Sequence, residues 1–144
     1  MSTQSGSWLL WALLAAVFAA LTAVFAKLGV QDIDADFATL LRTVLVAVLL
    51  VAFTGATGKW ADPRAISPKT LAFLALSALA TGASWVCYFR ALKLGDISRV
   101  APVDKLSLVL VAVFGFSFLG EHPTPTQWAG VVLVATGTVL LAVK

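Results

Sequence analysis

A chain of 144 residues that is 60% apolar, 12% charged and net +3 is the length of one domain, but has too few polar residues to cover a water-soluble fold. That length leaves no room for a separate catalytic domain. The Lys and Arg residues fall between apolar stretches rather than in one patch, which excludes a nucleic-acid face and fits loops beside anionic lipid.

Residues 1–7 are polar and contain no Lys or Arg, unlike the basic start of a signal peptide, so the apolar run that follows is expected to be a retained helix, 8–27. A bilayer core takes about 20 apolar residues as helix. Asp32, Asp34 and Asp36 form a short acidic loop able to cap the positive end of the second helix, 34–54, whose only charge beyond its start is Arg42. The stretch 55–64 is rich in turn residues. Ser67-Pro68 then reads as an N-cap followed by proline at the first helical position, opening a third helix, 69–89. Arg90, Lys93 and Asp96 are expected in the loop after it. Cys87, inside this helix, is expected to be a buried small hydrophobe.

The fourth helix, 97–119, begins with the least apolar segment of any span, Ser98-Arg99-Val100-Ala101-Pro102-Val103-Asp104-Lys105. Glu121 and His122 end it, as solvated loop residues. Thr124-Pro125-Thr126-Gln127 has capping-box spacing and opens the fifth helix, 125–143. The fold class is therefore all-α, a polytopic transmembrane bundle of five helices. Unpaired backbone cannot face lipid, and the runs are too long and too uniformly apolar for barrel strands.

An odd helix count puts the termini on opposite faces. The face holding the N-terminus carries Lys59, Arg64 and Lys69. The other carries Lys27, Arg90, Lys93, Arg99 and Lys144, so the positive residues divide three against five. This favours the second face in the cytoplasm only weakly and permits insertion both ways round. Trp8, Trp11, Trp60 and Trp128 form a belt toward the N-terminal face.

Five positions stand out near the opposite face: Arg42, Trp85, Tyr88, Asp104 and Lys105. By residue count, Arg42 lies about 8 Å and Asp104 and Lys105 about 10 Å into their helices. Charges at such depth usually face a cavity or a partner, although Arg42 and Lys105 are long enough to snorkel. Asp104 cannot, and an Asp104–Arg42 pair would neutralise both. Asp104 and Lys105 are adjacent, about 100° apart on a helix, and are expected not to satisfy one another easily. Pro102 removes a backbone donor beside them, a candidate helix break of the kind that builds midmembrane sites, or a simple kink. Trp85 and Tyr88 share a helical face and suit either an aromatic substrate or an interfacial anchor. Gly130 and Gly137 share a face of the fifth helix, and Ala78 and Gly82 one of the third. Such small residues suit a dimer or packing seam in lipid.

No nucleophile–base pair, phosphate-binding glycine loop or metal set is visible, so no catalytic residue, metal site or cofactor is expected; His122 is the only histidine. The segments Phe37-Ala38-Thr39-Leu40-Leu41-Arg42, Tyr88-Phe89-Arg90-Ala91-Leu92-Lys93-Leu94-Gly95-Asp96, Ser98-Arg99-Val100-Ala101-Pro102, Asp104-Lys105-Leu106-Ser107, Phe118-Leu119-Gly120-Glu121 and Trp128-Ala129-Gly130 with Gly137 together resemble an EamA-type domain of the drug/metabolite transporter superfamily. The resemblance implies a five-helix unit, half of a ten-helix inverted-repeat transporter, in the inner membrane. It implies a small-molecule substrate, export as the direction, and a homodimer, antiparallel favoured, to supply the second half. The alternatives are one half of a heterodimeric transporter, or a non-transport assembly or scaffold subunit. Small multidrug exporters of the same superfamily use an acidic residue in the first helix; this first helix has none.

Overall fold

The computed structural model describes residues 7–143. The polar start of the chain and Lys144 lie outside them. The helices are α1 (Ser7–Gly29), α2 (Ala35–Ala56), α3 (Pro68–Leu94), α4 (Ile97–Asp104), α5 (Leu106–Phe118) and α6 (Pro125–Ala142), with one 3₁₀ turn at Pro63–Ala65. By length and composition five spans are apolar enough to cross a membrane: α1, α2, α3, α4 with α5, and α6. The fold is all-helical, a multi-pass membrane protein.

Local chemistry sets the helix ends. Asp34 caps α2, its Oδ1 accepting from the N–H groups of Asp36 (2.9 Å) and Phe37 (3.1 Å). Ser67 Oγ accepts from the Thr70 N–H at 3.1 Å, with Pro68 the first residue of α3. At α6 the capping box is complete. The Gln127 N–H donates to Thr124 Oγ1 (3.3 Å), and the Thr124 N–H to Gln127 Oε1 (2.6 Å). Gly58 and Gly120 turn the chain at positive φ, 63° and 68°, which glycine adopts without strain.

Two elements differ from expectation. The third helix does not stop at Phe89 but carries Arg90 and Lys93 within it to Leu94. Cationic side chains suit a helix C-terminus, and their long stems reach neighbouring groups, so the charges did not mark a loop. The fourth span is two helices. The break falls at Lys105, three residues after Pro102, which itself lies inside α4. The Lys105 N–H donates to Pro102 O (2.9 Å) and the Leu108 N–H to Lys105 O (3.0 Å), tight i→i+3 turns that interrupt the α-helical ladder.

The chain divides into two compact units, residues 26–93 and, among those described, 7–25 with 94–143. In the first, Val30 and Leu92 are fully buried, with Ala26, Ala35, Ala38, Thr39 and Phe89 around them. The Thr39 hydroxyl donates to the Ala35 carbonyl at 2.8 Å, so its burial leaves no polar group unpaired. Cys87 is exposed, not buried. On α3 the inward positions are Trp85, Tyr88, Phe89 and Leu92, and Cys87 lies off that stripe. In the second unit α4 and α5 pack on α6, with Gly115 and Thr138 buried. Phe116 meets Trp128 edge-on at 6.2 Å and His122 at 6.4 Å. Most Leu, Val and Phe side chains of all the spans point outward, as lipid contact requires.

Candidate functional site

Polar groups in the first unit fall into two kinds. The first ties helix ends together. Arg90 holds Asp36 through a two-bond fork, Nε to Oδ1 at 2.7 Å and an Nη2 contact to Oδ2 at 2.6 Å, joining the start of α2 to the end of α3. Lys27 Nζ donates to the Leu92 carbonyl at 2.6 Å, and Lys93 Nζ donates to the Ile33 carbonyl. Together these contacts close the ends of α1, α2 and α3 over the Val30–Leu92 core.

The second kind is Arg42. Its guanidinium carbon lies 4.1 Å from the Trp85 ring centroid and 5.8 Å from that of Phe89. Arg42 sits two turns inside α2 and is half-buried, as is Trp85; Phe89 is buried. Tyr88, half-buried, lies on α3 between them in sequence. Trp85 and Phe89 are one turn apart on α3, so both rings can face a single side chain on α2. Among the described residues, no carboxylate lies within 4.0 Å of Arg42.

In the second unit Asp104 and Lys105 satisfy one another: Lys105 Nζ donates to Asp104 Oδ2 at 3.2 Å. This corrects the expectation that adjacency keeps them apart. Asp104 ends α4 and Lys105 occupies the turn, so regular helical spacing does not separate them, and the long lysine stem reaches back. Arg42 and Asp104 thus each have a partner within their own unit.

Glu121 and His122 lie exposed in the link between α5, which stops at Phe118, and α6, as expected of solvated loop residues. The Glu121 carboxylate folds back over α5. A Cβ added at Gly115 would meet its Oε2 at 2.6 Å. Glu121, His122 and Pro123 with Ala112, Gln127 and Val131 line an open cleft of about 360 Å³. Gly130 and Gly137 have open space where a side chain would stand.

Phe89, the Asp36–Arg90 fork and the Glu121–Gly115 contact were missed from sequence. Phe89 had a signal, the four-residue spacing from Trp85. The fork joins residues 54 apart and the Glu121 contact needs a chain reversal, so neither had one.

The sequence matches the EamA-like transporter family over residues 6–143, nearly its whole length. The chain belongs to that family. It is 60% identical over 140 residues to an uncharacterized transporter in the cobO 3' region of Sinorhizobium sp, covering 97% of this chain and 99% of that one. It is 26% identical over 139 residues to the uncharacterized transporter YxxF of Bacillus subtilis (strain 168), covering 96% of this chain but 43% of the relative. No solved structure matches. Family and relatives point to a membrane transporter rather than an enzyme.

Proposed function

We propose that this EamA-family protein is a secondary transporter of small metabolites, an exporter in the cell (inner) membrane, working as an antiparallel homodimer of five-span units. The observation that carries this reading is the length relation. The same stretch that makes up 99% of one relative makes up 43% of another, so a transporter of this family can hold more than twice the length present here. A dimer supplies two such units, and alternating access generally uses two inverted repeats about a central site. The three-against-five division of positive charge permits inverted insertion. Arg42, Trp85 and Tyr88 in one unit, and Asp104 and Lys105 in the other, are the substrate-path candidates of this reading, with Pro102 the candidate helix break inside α4. Gly130 and Gly137 are assigned to the seam, since the open space beside them lets a second backbone approach.

Single Gly130→Cys or Gly137→Cys variants in a Cys87→Ala background test the assembly. Cross-linking between protomers in native membranes, with C-terminal reporters found on both sides, is the expected result. A protein that is monomeric in lipid and still drives flux in liposomes ends the dimer mechanism. A cross-linked dimer whose reporters all lie on one side keeps the seam but removes the inversion.

A further inference from the structure

Arg42 and Arg90 are the same chemical group in the same compact unit, and they differ in what meets the edge of the guanidinium. That group is planar, and its N–H donors lie in the plane, pointing outward from the rim. Arg90 has its rim filled by Asp36 through two short bonds. Arg42 instead has its guanidinium carbon 4.1 Å over the Trp85 ring and 5.8 Å from the centroid of Phe89. Stacking on a ring uses the face and leaves the rim donors free. Among the described residues Arg42 has no carboxylate within 4.0 Å and donates no hydrogen bond. A cation inside a membrane span is costly unless something compensates it. The quadrupole of the two rings supplies part of that compensation and restricts where the group sits. What fits the open rim is a planar or tetrahedral oxyanion accepting two parallel hydrogen bonds, the arrangement Asp36 already makes with Arg90.

We infer that Arg42, braced by Trp85 and Phe89, is the binding site for an oxyanion, the carboxylate or phosphate of a small organic anion. This deepens the transporter reading and rests on it for the fate of the bound anion, while binding itself is measured separately. The rings brace the guanidinium so that little side-chain freedom is lost when the anion arrives.

The test uses the full chain with Trp8, Trp11, Trp60 and Trp128 replaced by Phe, so that emission reports Trp85 alone. In maltoside micelles free of phosphate, benzoate and phenyl phosphate are titrated against benzylamine and benzyl alcohol. Phosphatidylglycerol is titrated in a separate arm. Saturable changes with the two aromatic anions, and none with the cation or the alcohol, are expected. Arg42→Gln should weaken anion binding roughly tenfold or more, and Arg42→Lys less, since the ammonium keeps charge but loses the fork. If Arg42→Gln does not fold, Arg42→Lys still carries the test, and so does Trp85→Phe followed by calorimetry, each expected to weaken binding several-fold. A response to phosphatidylglycerol but not to the soluble anions overturns the small organic anion as the ligand and assigns the oxyanion to the bilayer. Equal binding of benzylamine, or equal binding of anions by wild type and Arg42→Gln, overturns the inference. Benzoate flux in liposomes then separates the two claims. Binding without flux leaves the site standing and counts against transport. Flux of another solute with no anion binding keeps transport and removes the site.

Discussion

The two compact units handle charge inside a membrane span by opposite means. In residues 26–93, Arg42 is stabilised by aromatic rings from another helix, and among the described residues no carboxylate lies within 4.0 Å of it. In the other unit, Asp104 and Lys105 are stabilised by each other, at a point where the helix itself is interrupted. The first arrangement needs a tertiary contact between α2 and α3 and leaves donors for a ligand. The second is nearly local, tolerates exposure and uses up its charge. A charged residue in a span is thus not one kind of signal. What it does depends on whether its partner takes the face or the edge of the group.

The contrast breaks most easily at Phe89. It is 4% exposed, and Phe89→Ala should cost about 3 kcal/mol through lost packing and loosen Arg42 along with the core. Reversible unfolding in mixed SDS micelles measures it. A loss no larger than that from trimming an outward-facing phenylalanine such as Phe73 shows that Phe89 does not organise the unit. The fork comes next. Arg90→Ala and Asp36→Ala should each lower stability, and the double variant should lose little more than either single, because the two share one interaction. Additive losses make the fork incidental.

Two mutant cycles separate the two ways of stabilising charge. Arg42→Ala with Trp85→Ala should show coupling of about 1 kcal/mol, the scale of a partly desolvated cation–π contact. Arg42→Ala with Asp104→Asn should be additive within about 0.5 kcal/mol, since each charge has its own partner. Recovery in that second double variant would restore the direct Arg42–Asp104 pairing that their matched depth suggests. The smallest effect is expected at Gly115. A methyl there meets only the far end of the Glu121 side chain, which can swing away, so Gly115→Ala should cost under about 1 kcal/mol. A larger loss would mean that the back-folded carboxylate is held firmly against α5.

Sequence alone determined the all-helical membrane architecture, because a chain with so many apolar residues must pair its backbone internally in lipid. It also determined the caps at Asp34, Ser67 and Thr124, which depend on side chains reaching backbone two or three residues away. The resemblance carried by segments from Phe37 to Gly130 agrees with the family match over residues 6–143. Tertiary structure alone decided which charges are occupied. Arg42, two turns inside α2, and Lys27, Arg90 and Lys93, near helix C-termini, are all simply cations of helices in sequence. Only the packing of α1, α2 and α3 gives one a pair of rings, one a carboxylate and two a backbone carbonyl. The same holds for Cys87, which faces outward because its neighbours Trp85, Phe89 and Leu92 take the inward stripe of α3. In a span that is apolar all round, hydrophobic periodicity does not say which face is inside. In lipid the choice is made by side-chain fit and polar pairing between helices, which a single sequence does not display.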